Sequence, residues 1–157
     1  MPELPEVETI VRFLDQNLSG DVIARISVLN PSSIKTNLDA FQSIVTNSTI
    51  QKVERKGKFL LFRLDKGFTM LVHLRMEGKF YLYNKEEFEE SKHDIIHFYL
   101  ASSRILSFND VRKFGTVEVY DNESLLVDSA LSKLGPDPYE EIAQNLHSKF
   151  RQLKTPI

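Results

Sequence analysis

At 157 residues, with 41% hydrophobic and 27% charged side chains, the chain has the size and make-up of one ordinary globular domain with a real core. It contains no cysteine, which excludes a disulfide framework, a thiol nucleophile and a thiolate zinc site within these residues, and its four histidines are scattered without metal-ligand spacing. The formal net charge of −2 counts against a nucleic-acid binder if taken alone. The charges are segregated, however: Lys52, Arg55, Lys56 and Lys58 crowd one stretch, and Glu86, Glu87, Glu89 and Glu90 another. The start MPELPEVETI is no export signal, and no run approaches the roughly 20 apolar residues of a membrane span, so a cytoplasmic, nucleoid-associated protein without membrane contact is expected.

In chain order, the first element is a helix. Pro5 suits a first helical turn, Glu6 and Glu8 favour the positive end of the helix dipole, and Val7, Ile10, Val11, Leu14 and Leu18 form one apolar stripe ended by Gly20. Eight short β patterns follow, at 22–28, 50–55, 58–64, 68–75, 78–83, 95–100, 104–109 and 115–120, with a short helix from Leu38 to Val45 between the first two. Their β-branched and aromatic content, punctuated by polar turns, predicts an α+β, mainly β fold: a two-layered antiparallel sandwich of about eight strands with flanking helices. LGPDP at 134–138 marks a stiff turn before a helical pattern from Tyr139 to Leu153. The expected division is a sandwich domain over 1–134 and a linker with the start of a further domain over 135–157.

The N-terminus carries the strongest chemical signal. Removal of Met1 before the small residue Pro2 leaves a secondary amine. A terminal amine has a pKa of about 7.7–8.0 against about 10.4 for lysine, so roughly a tenth is neutral at pH 7. Glu3 stands beside it as a general acid/base, and Glu6, one turn on, is suited to hold the helix start and the amine. Taken singly, these residues are equally well explained as an ordinary helix start. The turn in RKGK presents Lys58 beside Arg55 and Lys56, which suits a loop facing phosphates, although a solvated hairpin is the commoner use of such a turn. His73, Arg75, Lys79, Lys92 and His93 are by themselves ordinary surface residues.

MPELPEVETI resembles the N-terminal signature of bacterial formamidopyrimidine (8-oxoguanine) DNA glycosylases, and the similarity continues through RKGKFLLF, HLRMEGKF, KHD, FNDVRKFG and LGPDP in the family's order. The resemblance implies base-excision repair of double-stranded DNA containing oxidised purines, by a monomer with glycosylase and abasic-site lyase action. It places the Schiff-base nucleophile on Pro2, the general acid/base on Glu3 and a lesion contact on Lys58, with His73 and His93 near backbone phosphates. Flipping a base leaves a hole in the stack. The resemblance assigns its filling to Met76 and Phe114, and the orphaned opposite base to Arg112. The PELPE start, unlike the PEGPE of the related endonuclease VIII group, points to 8-oxoguanine and formamidopyrimidines. A helix–two-turn–helix module and a four-cysteine zinc finger complete the family's enzymes; no cofactor is expected within this chain, and zinc belongs to that other half. Without it, weak DNA binding and little excision are expected. The rival reading is a non-catalytic β-sandwich module for DNA scanning or protein interaction. A small-molecule enzyme is disfavoured, because no phosphate-cradling glycine loop or metal cluster is present.

Overall fold

The computed structural model describes residues 4–128. Helix α1 (Leu4–Leu18) leads into β1 (Ile23–Val28), a 3-10 turn at Pro31–Ser33 and helix α2 (Leu38–Val45). Strands β2 (Ile50–Lys56), β3 (Phe59–Leu64), β4 (Phe68–His73), β5 (Lys79–Asn84), β6 (Asp94–Leu100), β7 (Arg104–Asn109) and β8 (Thr116–Asp121) follow, and α3 (Asn122–Asp128) closes the described chain. Two four-stranded antiparallel sheets, ordered β1-β6-β7-β5 and β2-β3-β4-β8, form the predicted sandwich. No helix among the described residues is long and apolar enough to cross a membrane.

The apolar periods explain the layers. Val7, Val11, Leu14 and Leu18 of α1 are buried in the core that the inner sheet faces share, with Phe41 of α2 and Phe62, Phe98 and Phe108 of the strands. Asn37 caps α2 by accepting the Ala40 amide at 3.0 Å, and Gly20, at φ 90, allows the turn out of α1 that a side chain would resist. Strand β3 does not alternate, because both its faces are covered. Leu60, Phe62 and Leu64 enter the main core, whereas Phe59 and Leu61 join Leu71 and Leu125 in a small second cluster beneath α3.

Two expectations are revised. The strand read over 68–75 ends at His73, since Arg75 is held at φ 57 and cannot continue a ladder. Helix α3 was not anticipated. Its start is marked by Asp121, whose carboxylate accepts the Ser124 amide at 2.9 Å and the Ser124 hydroxyl at 3.1 Å. The linker and the helical pattern after LGPDP lie outside the described residues.

Candidate nucleic-acid interface

Strand register gathers the singled-out residues at one end of the sandwich. Phe59 lies opposite both Lys56 and His73, and His73 opposite Thr116, so the β2–β3 turn, the end of β4 and the start of β8 are neighbours. In the other sheet Asn109 lies opposite both Lys79 and Asp94, bringing together the starts of β5 and β6 and the end of β7. The connections 74–78 and 110–115 cross between the sheets at this same end. Helix α1 points its N-terminus there as well: Asp15 accepts the Val53 amide at 2.8 Å, and nearer the helix start Glu8 Oε2 accepts from Arg55 Nε at 2.6 Å.

The two crossing loops are built to hold apolar side chains out of the protein. Asp110, fully buried, accepts the Arg112 amide on Oδ1 at 3.0 Å and the Gly115 amide on Oδ2 at 2.7 Å, and Lys113 takes φ 59. The carboxylate replaces the strand ladder for this segment, so the loop is rigid without a core of its own. Arg112 Nε lies 3.2 Å from Glu77 Oε1, joining this loop to 74–78. Met76 (61% exposed), Val111 (55%) and Phe114 (60%) consequently stand on the surface beside cationic groups. Three exposed large apolar side chains on these two loops, which the Arg112–Glu77 ion pair joins, are candidates for a binding surface.

His73 is buried, edge-on to Phe59 with ring centroids 4.7 Å apart, and its Nδ1 accepts the Arg75 amide at 2.9 Å. Burial, then the charges of Arg75 and Lys58, lower its pKa from 6.5 to about 4. The ring is therefore neutral at pH 7 and carries its proton on Nε2, a donor that needs no net charge. The folded-state pKa lies below the unfolded one, so stability is full above about pH 6.5 and declines as pH falls toward 4. Between pH 7 and 4.5 this residue should account for about 2 kcal/mol of lost stability. Urea melts at both pH values should show that loss in the wild type, and a correspondingly smaller one in His73→Gln.

Lys58 follows Gly57, whose φ of 59 makes the tight turn, and its charge is felt at His73. His93 is half-buried beside the 110–115 loop, its carbonyl accepting the Asp110 amide at 2.9 Å. Glu6 is exposed in the first turn of α1. Pro2 and Glu3 lie outside the described residues. One expectation is corrected. Arg55 does not face outward with Lys56 and Lys58: it is 8% exposed and donates to Glu8 and to the Gly57 carbonyl at 3.2 Å, because its strand position points it under α1. It fastens the helix start to the β2–β3 turn. Three contributors escaped the sequence reading. They are Val111, exposed in the same loop motif as Arg112 and Phe114, and Asp94 and Asp110, whose burial no sequence pattern marks.

Comparison with known proteins agrees with this geometry. Residues 1–117 match the family model for the formamidopyrimidine-DNA glycosylase N-terminal domain. The chain is 43% identical over 141 residues to the formamidopyrimidine-DNA glycosylase of Lactiplantibacillus plantarum, covering 90% of this chain and 51% of that protein. With the enzyme of that name from an Exiguobacterium species it shares 41% over 159 residues, 99% of this chain and 57% of the relative. The Lactococcus lactis glycosylase, solved non-covalently bound to DNA containing an abasic site, superposes with a TM-score of 0.82 at 36% identity, over 96% of this chain and 58% of that one. The T221P mutant of that enzyme, bound to Fapy-dG DNA, superposes with the same score at 37% identity, over 96% of this chain and 55% of that one. The chain thus spans between half and three fifths of the length of these relatives.

Proposed function

Because this chain belongs to the formamidopyrimidine-DNA glycosylase family, matching its N-terminal domain, we propose that it is the catalytic domain of a base-excision repair enzyme for oxidised purines, with glycosylase and abasic-site lyase action. The observation that carries this reading is the convergence at one end of the sandwich of the Lys58 turn, His73, His93 and the exposed Met76, Arg112 and Phe114, with the start of α1 aimed at the same place. The relatives bound to abasic-site and Fapy-dG DNA support the substrate class.

In this reading Met76 and Phe114 enter the stack as the damaged nucleotide leaves it, and Arg112 satisfies the base left behind. Lys58 faces the lesion, and His73 and His93 hold the flanking backbone. The Pro2 amine attacks C1′ of the deoxyribose and gives up its one proton as the glycosidic bond breaks with its electron pair leaving on the base. Glu3 protonates the ring oxygen as the C1′–O4′ bond then breaks, and the nitrogen lone pair closes onto C1′ as the iminium. A secondary amine has no second proton to lose, so the iminium stays cationic and draws electrons from C2′. Abstraction of the C2′ proton then expels the 3′ phosphate, and a second elimination expels the 5′ phosphate.

The test is borohydride trapping at low salt, where phosphate contacts are strongest. Incubation with duplex carrying 8-oxoguanine, or a preformed abasic site, should give a covalent adduct that mass mapping places on Pro2. Undamaged duplex should give none, and release of free 8-oxoguanine by these 157 residues should be slow. Failure to trap even the abasic substrate would overturn the catalytic reading in favour of a non-catalytic scanning module.

A further inference from the structure

Beside the wedge loop lies a second buried carboxylate that the mechanism does not use. Asp94, 4% exposed at the start of β6, accepts the Ser91 amide on Oδ2 at 2.9 Å, His97 Nε2 on the same oxygen at 2.8 Å, and Asn109 Nδ2 on Oδ1 at 2.9 Å. Burial pushes its carboxyl pKa up, but the bonds from Asn109, His97 and Ser91 outweigh that and hold it below the usual range. It is an ionised group with both oxygens occupied.

Its partners lead to the interface in two directions. Ser91 Oγ accepts the His93 amide at 3.1 Å, so the Ser91 turn that Asp94 fixes also fixes His93. Asn109 is the last residue of β7, immediately before Asp110, whose carboxylate shapes the loop bearing Arg112 and Phe114. The two branches rejoin, because the His93 carbonyl accepts the Asp110 amide at 2.9 Å and the Lys92 carbonyl accepts from Lys113 Nζ at 3.0 Å.

We infer that Asp94 is a positioning residue for opening damaged duplex: it locks the His93 segment to the Arg112–Phe114 loop, so that the grip on the backbone and the wedge in the stack move as one body. The inference rests on the repair reading above. Cross-linked loops keep a fixed spacing while a base pair is forced apart, whereas loops tied only to their own strands yield separately; a displacement of about 1 Å can cost on the order of 100-fold in rate.

A purely structural role, capping the β6–β7 pair, makes a different prediction, and two substrates separate them. Borohydride trapping is compared on 8-oxoguanine duplex, which must be opened, and on single-stranded DNA with a preformed abasic site, which need not be. Asp94→Ala should lower duplex trapping by about 10- to 100-fold while leaving single-strand trapping within about twofold. Asn109→Ala should do the same more weakly. The exchanged pair Asp94→Asn with Asn109→Asp should restore duplex trapping, since the new amide donates to the new carboxylate while its oxygen still accepts from Ser91 and His97. Equal loss on both substrates, or no loss on either, overturns the inference. If Asp94→Ala fails to fold, Asn109→Ala and the exchanged pair decide it by the same ratio. Absence of trapping by the wild type on both substrates overturns the repair reading, and this inference falls with it.

Discussion

A variant in which Pro2 is preceded by a residue that cannot be trimmed should form no borohydride adduct at all, with its melting curve unchanged. The nitrogen of an internal proline is a tertiary amide whose lone pair is delocalised into the carbonyl, so it neither attacks a sugar carbon nor forms an iminium. On the proposed mechanism the effect is all-or-none, because the Pro2 amine is its one nucleophile. Stability should hold because the change precedes Leu4, the first residue of α1, and leaves untouched the ion pair between Glu8 and Arg55 that anchors the helix. Thermal melts beside the trapping gel check both halves. An adduct of normal yield from the blocked chain would move the nucleophile to a lysine, with Lys58 the first to examine.

Phe108→Ala should cost about 3–5 kcal/mol, the usual range for deleting a buried aromatic ring. That is a large part of the roughly 5–15 kcal/mol by which such a domain is stable. Phe108 is fully buried, stacks on Phe80 with centroids 4.9 Å apart, and is the floor on which both crossing loops rest. A Cβ on Gly115 would lie 2.6 Å from its ring, and one on Gly78 would lie 3.0 Å from it and 2.5 Å from the Leu74 carbonyl oxygen. Only glycine allows the backbone to come so close at these two places. Removing the ring leaves a cavity directly beneath Gly78 and Gly115, so amide exchange in 74–78 and 110–115 should quicken more than in α1. Urea denaturation with site-resolved exchange tests this. A loss below about 1 kcal/mol would mean that the loops close over the space.

Helix α1, helix α2 and all eight strands were legible from residue patterns alone, because the period of apolar side chains is a local property and turn residues bound it locally. The roles of Met76, Arg112 and Phe114 came instead from the resemblance carried by HLRMEGKF and FNDVRKFG, not from any apolar period. Helix α3 was missed because its seven residues carry too few turns for a period to show; only the Asp121 cap marks it.

What the amino-acid order determined by itself was therefore the alternation of elements and the apolar stripe by which α1 joins the core. Tertiary structure alone decided the fate of the charges. Arg55 reads as one more cation in a basic run, and it is buried because Glu8, 47 positions away, arrives on a helix that packs over its strand. Asp94 and Asp110 take their partners from nearby in the chain, Ser91, His97 and Asn109 for the one and the Arg112 and Gly115 amides for the other, but their burial follows only from the packing of the adjacent β6 and β7. Burial of the Arg55 charge depends on the partner the fold delivers to it, and Glu8 arrives by a long-range packing that no local window contains.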